Sequence, residues 1–591
     1  MYDLKITDGQ IHDGAGAEPV VADIAINNGV IAAIGPDLGP AARTLDANGK
    51  LVTPGFIDIH THYDGQASWD GMLRPSIDHG VTTAVMGNCG VGFAPVREAD
   101  HDKLIKLMEG VEDIPGTALH EGLTWDWESF PDYLDALARI PRTIDIAAMV
   151  PHDPLRVYVM GDRAVHSEPA NDTDIAEMRR LTREALEAGA IGFATGRSDV
   201  HKTADGEWTP SSESTREELT GIARAFEGLG HGVVQAVSDF NLERGEQEFD
   251  EEWSIIADYA KASGRPFSFS LMQRDFAPDQ WLKLIERTEA LKADGVDARM
   301  QVAPRAIGVF LGFNCTFHPF MGYPTYKTIA DLPLDERVAR MKDPAFKAQI
   351  LSEKTDKLSG PGSSVPPLAD LLMEHIEFVA EKFFQLGNPP DYEQSGENSL
   401  AARAREQGVS LMEMIYDTLL ERDGHELIYL PLYNYTELNY DNVLKMMEHP
   451  QALYGLSDGG AHVGTVCDAS MPTYMLTHWT RDRKRGRKLD LPRVVRMLTG
   501  AQADYMGMTD RGYLRAGLKA DINIIDLDRL QMEPPHMERD LPAGGQRLLQ
   551  GATGYVATIV AGEVVMEEGK LTGAMPGTVY RAGQQQALAA E

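Results

Sequence analysis

The stretch Pro54-Gly55-Phe56-Ile57-Asp58-Ile59-His60-Thr61-His62-Tyr63-Asp64 is an apolar run that ends in two histidines spaced two apart. An apolar run after a Pro-Gly turn reads as a buried strand. Strand side chains alternate faces, so His60 and His62 point the same way, into a common space. Two imidazoles converging from one rigid strand supply half of a transition-metal site. Further along, Ser457-Asp458-Gly459-Gly460-Ala461-His462 places an acid where a short apolar strand ends. A carboxylate there can ligate a metal and accept a proton from water bound to it. Taken alone, an Asp at a loop start also makes an Asx turn. Met86-Gly87-Asn88-Cys89-Gly90 presents a thiol at another strand end. A thiolate is a good zinc ligand, although a lone cysteine also serves as a small buried hydrophobe.

These side chains need a scaffold that brings distant segments to one place. Eight short apolar runs separated by helical patterns are the candidates: Leu51–Ile59, Val81–Met86, Ile144–Val150, Ile191–Thr195, Gly232–Val237, Pro266–Leu271, Arg299–Val302 and Leu453–Leu456. The clearest helix covers 174–188, with apolar positions at steps of three and four. Eight strands alternating with helices is the count of a (β/α)8 TIM barrel, though a doubly wound sheet reads similarly. Polar residues gather just after the strand ends, where barrel active sites lie: His60, His62, Cys89, His152, Arg197, Arg305 and Asp458. That coincidence favours the barrel. About 140 residues separate the seventh strand from the eighth, far beyond an ordinary loop, so a helical insertion over about 310–450 is expected to cap the mouth.

Both ends of the chain read differently, as short strands around turns such as Asn28-Gly29. The expectation is a small β-sandwich built from both termini, 1–50 and 511–575, around a barrel over 51–510, with a frayed tail over 576–591. The 591 residues carry a formal net charge of −35, with 43% hydrophobic and 25% charged residues. Such an acidic chain argues against nucleic acid or an anionic membrane as partner. No apolar run is long enough to span a bilayer, and the first residues lack a signal-peptide pattern. Three scattered cysteines, Cys89, Cys315 and Cys467, make no disulfide framework. A cytoplasmic protein is expected, and barrel enzymes in general suggest a homo-oligomer.

The motifs PGFIDIHTHYD, GNCG and SDGGAH, with the split terminal β-domain, resemble the amidohydrolase superfamily. Trp125-Asp126-Trp127-Glu128-Ser129-Phe130, Val150-Pro151-His152 with Leu155-Arg156, the EALEAGAIG run over 184–192 and the terminal DRGYL element are similar to its N-acyl-D-amino-acid deacylase branch. The resemblance covers nearly the whole chain and implies zinc-dependent hydrolysis of an amide or related C–N bond. It implies that His60, His62 and Asp458 hold one metal position, that Cys89 is a ligand of a neighbouring one, and that Asp458 is general base and then acid.

The departures bear on the metal count. In that branch the fifth and sixth strands each end in a metal-binding histidine. Here they read Gln235-Ala236-Val237-Ser238-Asp239 and Phe269-Ser270-Leu271-Met272-Gln273, without histidine. The expectation is therefore one ion on His60, His62 and Asp458, with Cys89 as a fourth ligand; manganese or iron are alternatives to zinc. Gln235, Ser238 or His152 are candidates for compensating contacts, or else face the substrate. The metal would lower the pKa of water from about 15.7 toward 7, Asp458 would move the proton, and His152 would help with the oxyanion unless it is a core histidine. Arg305 and Arg197 are candidates to grip a substrate carboxylate, unless an acidic neighbour takes each into a salt bridge. Tyr435, with Tyr433 and Asn434, is expected to line the pocket or to pack. The readings left open are a linear N-acyl (D-)amino acid, a cyclic amide, imide or aryl amide, and a degraded barrel that only binds.

Overall fold

The computed structural model describes residues 1–198, 200–240, 245–359 and 367–584. Its centre is an eight-stranded parallel sheet of β1 (Phe56–Asp58), β2 (Val81–Met86), β3 (Asp145–Pro151), β4 (Gly192–Arg197), β5 (Val233–Ser238), β6 (Phe267–Ser270), β7 (Ala298–Val302) and β8 (Ala452–Tyr454), in that spatial order. The strands are buried on both faces, as an all-parallel sheet flanked by helices must be. The ends of the order meet at the mouth. Thr61 bridges Gly459 in parallel fashion, Asp458 N–H donates to the His60 carbonyl at 3.1 Å, and His62 N–H donates to the Gly459 carbonyl at 2.8 Å. The fold is the TIM barrel of the expectation.

The first expected strand is two strands. Leu51–Pro54 lies in the terminal sheet and only Phe56–Asp58 enters the barrel. The handover is at Gly55, whose N–H goes to the Asp521 carbonyl at 2.8 Å, while Phe56 N–H turns to the Gly80 carbonyl at 3.0 Å. A side chain at Gly55 would put its Cβ 2.1 Å from Thr82 Oγ1, so only glycine permits this switch between sheets. The apolar run hides the break because both halves are buried.

The terminal sheet has nine strands. Leu51–Pro54 sits between Tyr2–Ile11 on one side and Ile522–Ile525 on the other, so the two ends of the chain share one hydrogen-bonded layer. Residues 576–584, expected to fray, instead run along the start of β3. Thr578 accepts from Ile146 N–H at 3.0 Å and Tyr580 N–H donates to Ile146 at 2.7 Å. Residues 585–591 of that expected tail lie outside the described residues.

The segment between β7 and β8 opens and closes with an antiparallel ribbon, Ile307–Leu311 against Ile428–Tyr433. It has its own apolar core, including Phe313, Phe320, Ile350, Tyr416 and Ile428. Within it one helix ends at Glu374, followed by a short turn at Ile376–Val379. Phe384 then pairs by two backbone hydrogen bonds with Tyr429, a constraint from distant sequence that periodicity cannot show. The insertion reaches the mouth through Phe310 N–H to the Thr465 carbonyl at 2.7 Å and Thr316 N–H to the Gly464 carbonyl at 3.2 Å. Among the described residues no helix is long and apolar enough to cross a membrane.

One buried charge cluster ties the C-terminal part to the barrel. Asp145, at the start of β3, accepts from both Arg511 and Lys519, and from Thr578 N–H at 2.7 Å. Burial alone would raise its pKa, but Lys519 and Arg511 outweigh burial and hold the carboxyl well below the usual range. Its stabilisation is therefore complete above the unfolded value of about 3.9 and fades as pH falls below it. Asp145→Asn leaves two buried cations short of a partner and is expected to cost about 3–5 kcal/mol at neutral pH. Denaturant unfolding of both proteins between pH 7 and pH 3 checks this: the gap should narrow only below about pH 4.

Candidate active site

His60 and His62 leave β1 at the barrel mouth with their rings 5.4 Å apart. Their Nε2 atoms face Asp458 Oδ1 at 3.4 and 3.8 Å, and Cys89 Sγ at 3.3 and 3.8 Å. The two imidazoles and the thiol form a buried group whose ligand atoms lie within 4.8 Å of one another. Strand and turn geometry puts each one there. Asp58 on β1 accepts from His60 N–H at 3.1 Å and from the Ser457 hydroxyl, locking the first strand end to the last. Gly459 lets the Asp458 turn close on Tyr63: a Cβ there would sit 2.6 Å from Ser76 Oγ and 3.0 Å from the Tyr63 hydroxyl. Cys89 sits in a tight turn at φ +56°, pinned by Asn88 Nδ2 to the Val85 carbonyl at 2.9 Å and the Thr61 carbonyl at 3.2 Å. The turn packs on Gly196 of β4, where a Cβ would lie 2.2 Å from the Cys89 carbonyl.

The far nitrogens of both histidines face polar groups from other elements, and a hydrogen bond fixes the one on His60 so that its Nε2 lone pair faces inward. His60 Nδ1 pairs with Gln301 Oε1 at 2.7 Å, and the Gln301 amide is oriented by donating to Ser268 Oγ at 2.9 Å. His62 Nδ1 lies 3.1 Å from Glu112 Oε1. Burial pushes the His60 pKa down to about 4, so its imidazole is neutral at physiological pH. Burial acts the same way on His62, but Glu112 and Cys89 outweigh it and favour positive charge there. Burial pushes the Cys89 thiol up to about 11, with His62 pulling the other way. Burial also raises Asp458, yet its contacts with His62 and His60 prevail and hold the carboxyl near 2. An ionised carboxylate, two presented imidazoles and a thiol that needs a nearby cation to ionise are donors that fit a divalent zinc-like ion.

The remaining expected site residues are engaged elsewhere. His152 is fully buried, with Nδ1 on Thr195 Oγ1 and Nε2 on Glu218 Oε1, both at 2.9 Å, so neither nitrogen faces a substrate. Arg197 makes a two-pronged pair with Glu252 at 2.6 and 2.8 Å. Arg305 is enclosed by Asp468, Ser470 and the Cys467 carbonyl and lies 3.7 Å over the Tyr392 ring. Tyr435 donates to the Gln394 carbonyl at 2.5 Å and packs on Tyr440 beneath the insertion. A buried partner from another segment, invisible in the local pattern, engages each of them. Gln235 is the exception. It faces the barrel interior in register with Ser268, and neither of its amide atoms has a hydrogen-bond partner. By the same register the inward positions nearest the mouth on β5 and β6 are Val237 and Ser270, where no imidazole can be offered.

Four residues belong to the site without having been singled out. Glu112 ends the helix His101–Glu112, where an acid looks like any solvated helix residue. Gln301 is a polar residue inside the apolar run ARMQV, a signal that was readable. His462 lies within the SDGGAH motif, its Nε2 3.7 Å from Glu112 Oε2. His201, in the loop after β4, comes within Coulombic reach of His62, Asp458 and Asp239, and loop position alone gives no hint of that.

Comparison with known proteins gives this geometry a family. The Amidohydrolase family matches residues 43–566. An uncharacterized protein of Mycobacterium tuberculosis is 27% identical over 97% of this chain and 93% of its own length. The D-aminoacylase of Alcaligenes xylosoxydans xylosoxydans is 36% identical over 40% of this chain and 44% of its own. A crystal structure of D-aminoacylase superposes with a TM-score of 0.63 at 22% identity, over 98% of this chain and 100% of the other. N-acyl-D-glutamate deacylase from Bordetella bronchiseptica, in complex with zinc and a phosphonate inhibitor, gives the same figures. At that identity these two structures speak for the fold. The chain belongs to the Amidohydrolase family and is an enzyme acting on non-peptide C–N bonds.

Proposed function

We propose that His60, His62, Cys89 and Asp458 hold one zinc ion and that the enzyme hydrolyses an N-acyl amino acid of D configuration. The observation that carries the metal assignment is the convergence at the barrel mouth of two Nε2 atoms that each lie 3.3–3.8 Å from the Cys89 thiol and from an Asp458 carboxylate oxygen. A single ion is favoured because Val237 and Ser270 occupy the inward positions on β5 and β6 where a second would need imidazoles. The substrate class follows the named relatives, which include an N-acyl-D-aspartate deacylase at 32% identity over 39% of this chain.

When bound, the ion supplies Lewis acidity, polarising a carbonyl and bringing the pKa of water from about 15.7 toward 7. The protein's own part is positional and electrostatic. Asp458, ionised and fixed by its backbone bond to His60, accepts the proton of the attacking water and returns it to the departing nitrogen. Gln301 and Glu112 keep the two imidazoles in the tautomer that presents Nε2. His152 is assigned no contact with substrate here, since Thr195 and Glu218 take both of its nitrogens.

A second reading is a substrate without a free carboxylate, such as a cyclic or aryl amide. It is favoured by the state of Arg197 and Arg305, which are already paired with Glu252 and Asp468 in the interior. Binding a carboxylate with either would mean breaking a buried ion pair.

Three outcomes test these assignments. Metal analysis of protein purified without chelator should find close to one zinc per chain; His60→Ala and Asp458→Asn should abolish turnover, with a smaller loss for Cys89→Ala. Gln301→Leu should weaken zinc binding about 10–100-fold in chelator competition, because His60 loses its orienting partner. On a panel of N-acetyl-D- and N-acetyl-L-amino acids, their neutral amides, and cyclic and anilide amides, the D-acids should give the highest kcat/KM. A preference for neutral members would select the second reading.

A further inference from the structure

Glu112 stands between two imidazoles. Its Oε1 lies 3.1 Å from Nδ1 of His62, and its Oε2 lies 3.7 Å from Nε2 of His462. The carboxylate is buried, with its side chain 1% exposed, whereas the His462 side chain is 29% exposed. His462 is thus on the open side of the site, within electrostatic reach of Asp458 as well as beside Glu112. Among the described residues Oε2 has no hydrogen-bond partner, and the His462 ring stands beside it. The arrangement is rigidly built. Val463 N–H donates to the Glu112 carbonyl at 3.2 Å, and Val463 accepts from Leu548 N–H at 2.7 Å. Gly464 closes on Thr316, which donates to Asp113, the residue after Glu112.

The backbone of His462 is held at φ +48°, the left-handed region that a residue with a Cβ seldom occupies. Cys89 at +56° and Asp458 at +48° share that conformation and bracket the same space. Non-glycine residues in this region persist where surrounding structure over-determines them, and they cluster at sites that bind or react. A plain surface histidine has no need of such a backbone or of a buried carboxylate.

Resting on the metal-dependent hydrolysis proposed above, we propose that His462 is a substrate-contacting residue and that Glu112 is a positioning residue which orients His62 on the metal side and His462 on the substrate side. With Nε2 turned to Glu112, Nδ1 is the nitrogen that meets a bound amide, and it contributes a hydrogen bond to that amide. The side chain reaches the pocket from the loop after β8, four residues beyond Asp458, so it faces the same scissile group as the proton-carrying acid.

His462→Gly is the informative variant, since glycine accepts a positive φ without strain. With the best substrate of the panel, it is expected to keep its zinc and to lose about 10–100-fold in kcat/KM, the range of one hydrogen bond involving a charged or buried partner. Added imidazole should restore part of that loss while leaving the wild type unchanged. In zinc-saturated protein, Glu112→Gln should lower kcat/KM, and the double variant should lose clearly less than the product of the two single losses, the remainder being the part of Glu112 that acts through His62. Activity of His462→Gly within twofold of an active wild type overturns the inference and leaves the proposed function standing, as do loss of zinc in that variant or multiplicative losses in the pair. A zinc-loaded wild type inert on the whole panel overturns both.

Discussion

The site depends on three backbone connections at one seam. Where the first and eighth barrel strands meet, residues 60–62 and 458–459 are joined by two hydrogen bonds and one bridge, and the Asp58–Ser457 contact adds a side-chain clasp. Those bonds bring segments about 400 residues apart in sequence to hydrogen-bond distance. Without them, His60 and Asp458 would be two polar groups at separate strand ends, each paying for desolvation alone. With them, the cost of burying a carboxylate is offset by two imidazoles, and the field that results favours a cation between them.

Around that seam the barrel supplies partners rather than ligands. Gln301 of β7 and Ser268 of β6 hold one histidine, and Glu112, from the end of a helix, faces the other. Gly196 of β4 makes room for the Cys89 turn. Strands on the far side of the barrel therefore act through the orientation of first-strand groups. None of these supports comes from Val237 of β5 or Ser270 of β6, so the near half of the site stays assembled without them. Gln235 and Ser270 are buried on that far side with polar atoms unpaired among the described residues.

The residues outside the seam show the same economy of buried charge. Arg197, Arg305, Arg511 and Lys519 all find carboxylates inside the protein, and His152 finds Glu218. For a chain with a net charge of −35, a surplus of acids makes such pairing easy. It also means that an arginine at a strand end is a poor guide to substrate binding here. The position is common to active-site and structural arginines alike, and only the neighbour decides between them.

Periodicity, turn residues and the placement of histidines made the barrel, the terminal β-layer and the His60, His62, Cys89 and Asp458 group legible from sequence, because strand alternation and strand-end chemistry are local properties. The long insertion was legible only as a length, and the division of the first strand at Gly55 was not, since both halves are equally apolar. Glu112 and His201 were beyond local reading as well, since each gains its role from a neighbour far away in the chain, whereas Gln301 stood out as a polar residue in an apolar strand and only its partner was hidden. Sequence determined which groups could bind a metal and in which direction a strand would present them. Tertiary structure decided which of the other polar groups remained free for a substrate, because hydrogen bonds and ion pairs in a buried interior are allotted by proximity in space.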